Sequence, residues 1–327
     1  MFQLFDIIQN VNSIGISGHV RPDGDCVGSC MALYNYIMRN YNSDGKKQVD
    51  VYLDPIPEVF SYLEGVRKIQ HECNHEQTYD LFISLDNGDL ERLGKAAAYF
   101  KEAKQTINID HHISNTEFAQ INHVIPDASS TCEVLFGLLE EEKIDSVIAN
   151  CLYTGLVHDT GVFKHSNTSR KTMEIAGILL EKGVNSSKII DESFYQKTYI
   201  QNQILGRCLL ESMLLFEGTV IVSTITKQQM AFYHATSHDL DGIVDQLRIT
   251  KGVEVAMFIY ETEPSEYKVS LRSNGDVNVS KIATYFGGGG HIKAAGCSMK
   301  GRVHDVINNI MVHIEHQLKE LNLIELS

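Results

Sequence analysis

The sequence predicts an α/β protein in two parts. An N-terminal parallel sheet with helices on both faces precedes a smaller α+β domain built on a mixed or antiparallel sheet. Three observations predict this. Up to Asp110, short apolar runs alternate with helical patterns, the rhythm of βαβ units. From about residue 129 to 216 the pattern is mostly helical, and after it the apolar runs become β-rich. The length of 327 residues also suits two cores, at roughly 150 residues per domain.

The elements follow in order. "SIGISGH" reads as a strand, "VGSCMALYNYIMRNY" as a helix, "VDVYL" as a strand and "PEVFSYL" as a short helix. "DLFISLD" and "QTINID" are strands flanking the helix "LGKAAAYFKEA". "STCEVLFGLLEEE", "SVIANCLYTGLVH", "SRKTMEIAGILLEKG" and "YIQNQILGRCLLESMLLF" are helical. Strands "GTVIVSTI", "VEVAMFIYE" and "EYKVSLRSN" then combine with helices "GIVDQLRIT", "SKIATYFG" and the amphipathic "VHDVINNIMVHIEHQLKEL". The expected domains are 1–195, a helical connector over 196–217, and 218–327.

Composition excludes several function classes. A hydrophobic fraction of 43% and a charged fraction of 21% are those of a folded globular protein. The net charge of −14 opposes tracking of long nucleic acid, which needs many lysines and arginines to displace counterions. A short oligonucleotide is compatible, because a few local cations can neutralise one or two phosphates. The seven cysteines include no CxxC pair and read as reduced. The first residues lack a basic leader, and no apolar run approaches the roughly 18 residues of a membrane span. A cytoplasmic location is expected.

In parallel sheets, ligands sit beyond the carboxyl ends of the strands, so polar residues there carry most weight. "SGHVRPDGDCVGS" places His19, Asp23 and Asp25 after the first strand, Asp86 ends another, and "NIDHH" supplies Asp110, His111 and His112. Asp159 lies in the glycine-containing turn "LVHDTGVFKHSN". Any one of these aspartates is most simply a helix cap or turn residue; at successive strand ends, the set suits divalent cations of the manganese kind. Two such ions, about 3.5–4 Å apart, would lower the pKa of a shared water and stabilise both attacking and leaving oxygens in phosphoryl hydrolysis. Asp86, alone at the end of a central strand, is the natural bridge.

"HVRPDGDCVGS", "LDNGDLERLG", "NIDHH", "GLVHDTGVF" and "LRSNGDVNVSKIATYFGGGGHIKAAG", in this order over nearly the whole chain, resemble the DHH phosphoesterase family with its DHH-associated C-terminal domain. The resemblance implies two manganese ions, one held by His19, Asp23 and Asp86, the other by Asp25, Asp86, His111 and Asp159. It implies that Asp110 orients a metal ligand and that His112 faces the scissile phosphate, stabilising its charge or protonating the leaving oxygen. Arg272, Gly288, Gly289, Gly290 and His291 would hold the substrate's 5′-phosphate end; a glycine run by itself is usually a flexible loop, though it also admits close ligand approach. The implied activity is hydrolysis of short 5′-phosphorylated oligoribonucleotides from the 5′ end, together with removal of the 3′-phosphate of 3′-phosphoadenosine-5′-phosphate (pAp), in a cleft between the domains. Homodimerisation is also compatible. Hydrolysis of cyclic dinucleotides or pApA is the nearest enzymatic alternative, and a non-catalytic metal or nucleotide sensor the alternative of another class.

"HECNH" at 71–75 matches the HExxH pattern of zinc proteases, but the short polar stretch before the next strand leaves no room for the required helix. His71 and His75 are expected in a solvated loop. His158 suits a packed, satisfied histidine as well as a group orienting a ligand, and His123 and His165 carry no clear role. Arg92 suits phosphate steering as well as helix capping, and Ser129 to Thr131 resemble an N-cap cluster.

Overall fold

The computed structural model describes all residues except 1–3, 43, 74–76 and 325–327; His75 of the protease-like pattern is therefore outside the described residues. The chain divides into two compact units, Met1–Gln196 and Lys197–Ser327. Among the described residues, no helix is long and apolar enough to cross a membrane.

The first unit contains a parallel sheet of β1 (Ser13–Ser17), β2 (Gln48–Tyr52), β3 (Ile69–Gln70), β4 (Leu81–Leu85), β5 (Gln105–Asp110) and β6 (Ile121–Val124). The order is β3-β2-β1-β4-β5-β6, with all pairings parallel. β4 is buried along its whole length, as expected of a central strand covered on both faces. Its Leu81, Ile83 and Leu85 join Val27, Met31, Leu152 and Leu156 in one core, while Phe82 joins Tyr52, Tyr79, Leu93, Tyr99 and Phe100 on the opposite face. The period-two alternation of a strand thus serves two helical layers.

Helices Gly24–Asn40 and Ser146–Asp159 pack closely on the first of these faces. Glycine permits the approach: a Cβ on Gly28 would lie 2.6 Å from the Cys151 carbonyl oxygen. The sequence rhythm did not anticipate β6, whose Ile121–Val124 segment is half-buried at the sheet edge and carries only weak apolar alternation. The expected helix at 93–103 forms as a 3₁₀ segment, Glu91–Ala96, followed by Ala97–Glu102, with Gly94 at positive φ between turns.

The second unit has a mixed sheet: β7 (Met213–Leu215), β8 (Val220–Ile225), β9 (Val255–Glu263), β10 (Glu266–Ser273), β11 (Gly289–His291) and β12 (Ala294–Lys300), in the order β11-β12-β10-β9-β8-β7. Only β8 and β9 run parallel. Val255, Met257 and Ile259 pack with Ile282, Ile310 and Ile314 on one face; Ala256 and Phe258 pack with Ile204, Cys208 and Leu247 on the other. The 196–217 segment contains helix Tyr199–Leu210 and β7, and its Ile204 and Cys208 are part of this unit's core.

Candidate metal and phosphoester site

In the first sheet, the chain proceeds outward from β1 in both directions, so the neighbouring carboxyl ends of β1 and β4 form a topological switch point, the usual place for a ligand in an open α/β sheet. His19 follows β1 and Asp86 follows β4, and both are buried. Asp86 sits at φ 53°, a left-handed conformation that aspartate adopts more readily than most residues. Asp86 N–H donates to the Ile109 carbonyl at 3.1 Å, so the turn is tied to β5.

Asp86 stands between two histidines. Its Oδ2 lies 3.4 Å from His19 Nε2, and its Oδ1 lies 3.7 Å from His111 Nε2. His19 Nδ1 faces the Val20 carbonyl at 2.9 Å and His111 Nδ1 faces the Ala128 carbonyl at 3.2 Å. A neutral ring that donates from Nδ1 presents its Nε2 lone pair, so both rings are oriented as ligands. Around His19 Nε2, Asp23 Oδ2 lies at 3.7 Å, while Asp23 Oδ1 accepts from the Asp25 and Cys26 N–H groups at the start of helix Gly24–Asn40. Around His111 Nε2, Asp159 Oδ2 lies at 3.1 Å.

Asp25 is wholly buried. Its oxygens accept from Thr131 N–H at 2.6 Å and Cys132 N–H at 3.0 Å, and Thr131 Oγ1 donates to Asp86 Oδ1 at 3.1 Å. The Ser130 side chain caps helix Thr131–Phe136 by accepting from Glu133 N–H. The serine–threonine cluster is therefore a cap, as expected, but Thr131 also ties two candidate ligands together, a role its sequence context did not signal.

His112 has a different environment. Its Nδ1 lies 2.7 Å from Asp110 Oδ1, and Asn115 Nδ2 donates to Asp110 Oδ2 at 2.6 Å and to Asn108 Oδ1 at 2.8 Å. Asn108 in turn donates to the Asn87 carbonyl at 3.1 Å. The sequence reading missed Asn108 and Asn115; the only signal was a polar asparagine inside the otherwise apolar strand "QTINID", a position that demands partners when buried.

The charge balance favours a cation. Burial, then repulsion from Asp86 and Asp159, push the Asp25 carboxyl well above its ordinary range. Burial and Asp86 also raise Asp159, against the pull of His111. Burial opposes charging of His19 and His111, yet the carboxylates around them lift the rings to about 11 and about 10. For Asp23, burial is outweighed by His19, which holds it down to about 2. The crowded carboxylates thus call for positive charge among them, which divalent ions would supply.

The donor chemistry fits. Asp86, His111 and His112 form one group with donor atoms within 4.8 Å of one another; Asp25, His111 and Asp159 form another, and His19, Cys26 and Asp86 a third. Asp86 and His111 each belong to two of these groups.

Other expectations resolve differently. Asp159 is the last residue of helix Ser146–Asp159, not a member of the following turn; left-handed Gly161, Val162 and Phe163 form that turn. His158 is a packed, satisfied histidine: Nε2 lies 3.0 Å from Ser193 Oγ, its ring contacts Phe60 and Phe194, and burial lowers it to about 4. The Arg92 carbonyl accepts from Val20 N–H at 2.7 Å and its N–H is capped by Asp89. His71, though exposed, has Nδ1 2.9 Å from the Leu53 carbonyl.

In the second unit, the glycine run forms edge strand β11, not a free loop: Gly289, Gly290 and His291 pair with Gly296, Ala295 and Ala294. One edge is thus occupied by β12, and on the other the Gly290 carbonyl accepts from Ser280 Oγ at 2.7 Å. Gly288 is required by contact, since a Cβ there would collide with the Gly296 carbonyl. Arg272 pairs in register with Ala294, which pairs with His291. Directly paired residues share a face, so Arg272 and His291 flank a small alanine at two strand spacings, about 10 Å. Arg272 Nε donates to Asp245 Oδ1 at 3.0 Å, which holds the guanidinium in place.

Residues 13–156 match the DHH family, N-terminal domain, and residues 217–320 match the DHHA1 domain. The chain is 30% identical to the bifunctional oligoribonuclease and PAP phosphatase NrnA of Thermus thermophilus over 88% of this chain and 84% of that protein. It is 26% identical to the protein of the same name from Bacillus subtilis, over 97% and 98%. An exopolyphosphatase-related protein from Bacteroides fragilis superposes with a TM-score of 0.85 at 25% identity, over 97% of this chain and 95% of that one.

Proposed function

The chain belongs to the DHH phosphoesterase family, with a DHH domain followed by a DHHA1 domain, and from that premise we propose that it hydrolyses short 5′-phosphorylated oligoribonucleotides from the 5′ end and removes the 3′-phosphate of pAp. Relatives that carry both activities in their names support the reading. The observation that carries it is the position of Asp86 between His19 and His111, which suits one carboxylate serving two cations.

His19, Asp23 and Asp86 hold one ion in this proposal; Asp25, Asp86, His111 and Asp159 hold the other. Manganese suits the mixed oxygen and nitrogen set. When bound, two such ions make water nucleophilic at neutral pH and stabilise charge on the attacking and leaving oxygens. His112, with Nδ1 directed at Asp110, has Nε2 available to donate a proton to the departing 3′-oxygen. Arg272, His291 and the backbone of Gly288, Gly289 and Gly290 bind the 5′-phosphate; a guanidinium can bond two phosphate oxygens at once. Both substrates present the same pattern, a 5′-phosphorylated nucleotide with a phosphate on its 3′-oxygen, so one site serves both.

The test is time-resolved product analysis with manganese on four substrates: pAp, a 5′-phosphorylated dinucleotide, a longer 5′-phosphorylated RNA and cyclic di-AMP. Release of mononucleotide from the dinucleotide and of phosphate from pAp is the expected result. Preferential cleavage of cyclic di-AMP would move the protein to cyclic-dinucleotide turnover, and no hydrolysis of any substrate would overturn the enzymatic reading.

A further inference from the structure

The His19 side of the cluster contains a ligand type that phosphoester chemistry with manganese does not use. Cys26 lies in the first turn of helix Gly24–Asn40, where its N–H is bonded by Asp23 Oδ1 at 3.1 Å. Its side chain is fully buried over the end of β1, with Sγ 3.9 Å from the His19 carbonyl oxygen. Gly18 makes room for it: a Cβ at residue 18 would collide with the Cys26 sulfur. This places the Cys26 sulfur in one group with a nitrogen of His19 and an oxygen of Asp86, all within 4.8 Å of one another. Asp23 Oδ2 lies 3.7 Å from His19 Nε2.

We propose that Cys26 adds a sulfur ligand to the His19–Asp86 side of the site and makes it a trap for thiophilic divalent cations, zinc or cadmium, that displace the hard ion and stop hydrolysis. The inference rests on the metal-site reading above and extends it to metal selectivity. Hard cations prefer the carboxylates, whereas softer ones gain most from sulfur. Sulfur, imidazole nitrogen and carboxylate oxygen are also ligand types that a zinc site accepts. On binding, the Cys26 S–H bond breaks, an S–metal bond forms and the proton passes to solvent; no electron is transferred.

The test uses the full-length protein titrated with Cd2+, read by thiolate-to-cadmium ultraviolet absorption and by cadmium NMR, with Mn2+ binding followed in parallel by electron paramagnetic resonance. Wild type and a Cys208→Ser control are expected to develop the charge-transfer band and a sulfur-shifted cadmium resonance as Mn2+ is expelled. Cys26→Ser is expected to lose both signals and to require more Cd2+ to expel Mn2+. A wild-type protein that binds Mn2+ but shows no band, or a band that persists in Cys26→Ser, would overturn the assignment to Cys26 alone. Failure of the wild type to bind Mn2+ would overturn the underlying site reading and this inference with it. Should Cys26→Ser fail to fold, the wild-type cadmium resonance decides: a position typical of only nitrogen and oxygen ligands rejects the proposal.

Discussion

His112 and Asn115 hold the Asp110 carboxylate from opposite sides: the imidazole Nδ1 is 2.7 Å from one oxygen and the amide Nδ2 2.6 Å from the other. Asp110 is fully buried. Burial opposes its ionisation, but the two partners hold its carboxyl below the usual range, so it remains a fixed anion behind the His112 ring.

Asn115→Ala is therefore expected to lower kcat by about 10–100-fold, the usual cost of removing such an orienting partner, with KM little changed. Steady-state kinetics on pAp would check this. A rise in KM at unchanged kcat would assign Asn115 to substrate binding instead.

Asp86→Asn retains side-chain size and a residue type that tolerates φ 53°, while removing the charge shared by the two sides of the site. Hydrolysis of pAp and of dinucleotide should both fall to background in a protein with a native circular-dichroism spectrum. Substantial turnover by the folded, metal-depleted variant would contradict the bridging role.

Stability should depend on pH in a metal-sensitive way. The folded-state values of His19 and His111 are raised from 6.5 to about 11 and about 10, so their contribution is full below 6.5 and lost as pH rises through the folded values. Raised Asp25 and Asp159 act with the same sign from the ordinary carboxylate range upward. Lowered Asp23 acts oppositely, but only as pH falls from 3.8 through about 2. The Tm of chelator-treated protein should fall between pH 6.5 and 10, and added Mn2+ should flatten the slope by replacing the imidazole protons. A flat profile in chelator would refute the charge balance described here.

Gly155→Ala would drive a methyl group into Asp25 Oδ1 and Cys132 Sγ. Overpacking of this kind costs roughly 1–3 kcal/mol, and here it also displaces a candidate ligand. Lower denaturant midpoint together with weaker Mn2+ binding is the expected pair; loss of stability alone would mean that Asp25 does not hold an ion.

Arg272→Ala should mainly raise KM for pAp, because a phosphate grip used equally in ground and transition states leaves kcat unchanged. A large fall in kcat at constant KM would contradict that role. Asp245→Asn, which weakens the 3.0 Å tether on Arg272 Nε, should shift KM in the same direction by less.

The sequence by itself determined the two-part architecture and most of the candidate site. The alternation of apolar runs and helical patterns marks β1, β2, β4 and β5, and acids or imidazoles at their ends are legible because strand termini in a parallel sheet share one edge. His19, Asp86 and His111 could be singled out from position alone, and motif order added Arg272 and His291. Edge strands β6 and β11 were hidden, since half-buried "INHV" and exposed "GGH" carry little of the apolar signal that burial imposes. Tertiary structure alone decided which nitrogen of each imidazole faces the cluster, that Thr131 links Asp25 to Asp86, that Asn115 supports Asp110, and that Cys26 points at His19. These are consequences of hydrogen-bond direction and of close helix approach across glycine, and neither leaves a periodic trace along the chain.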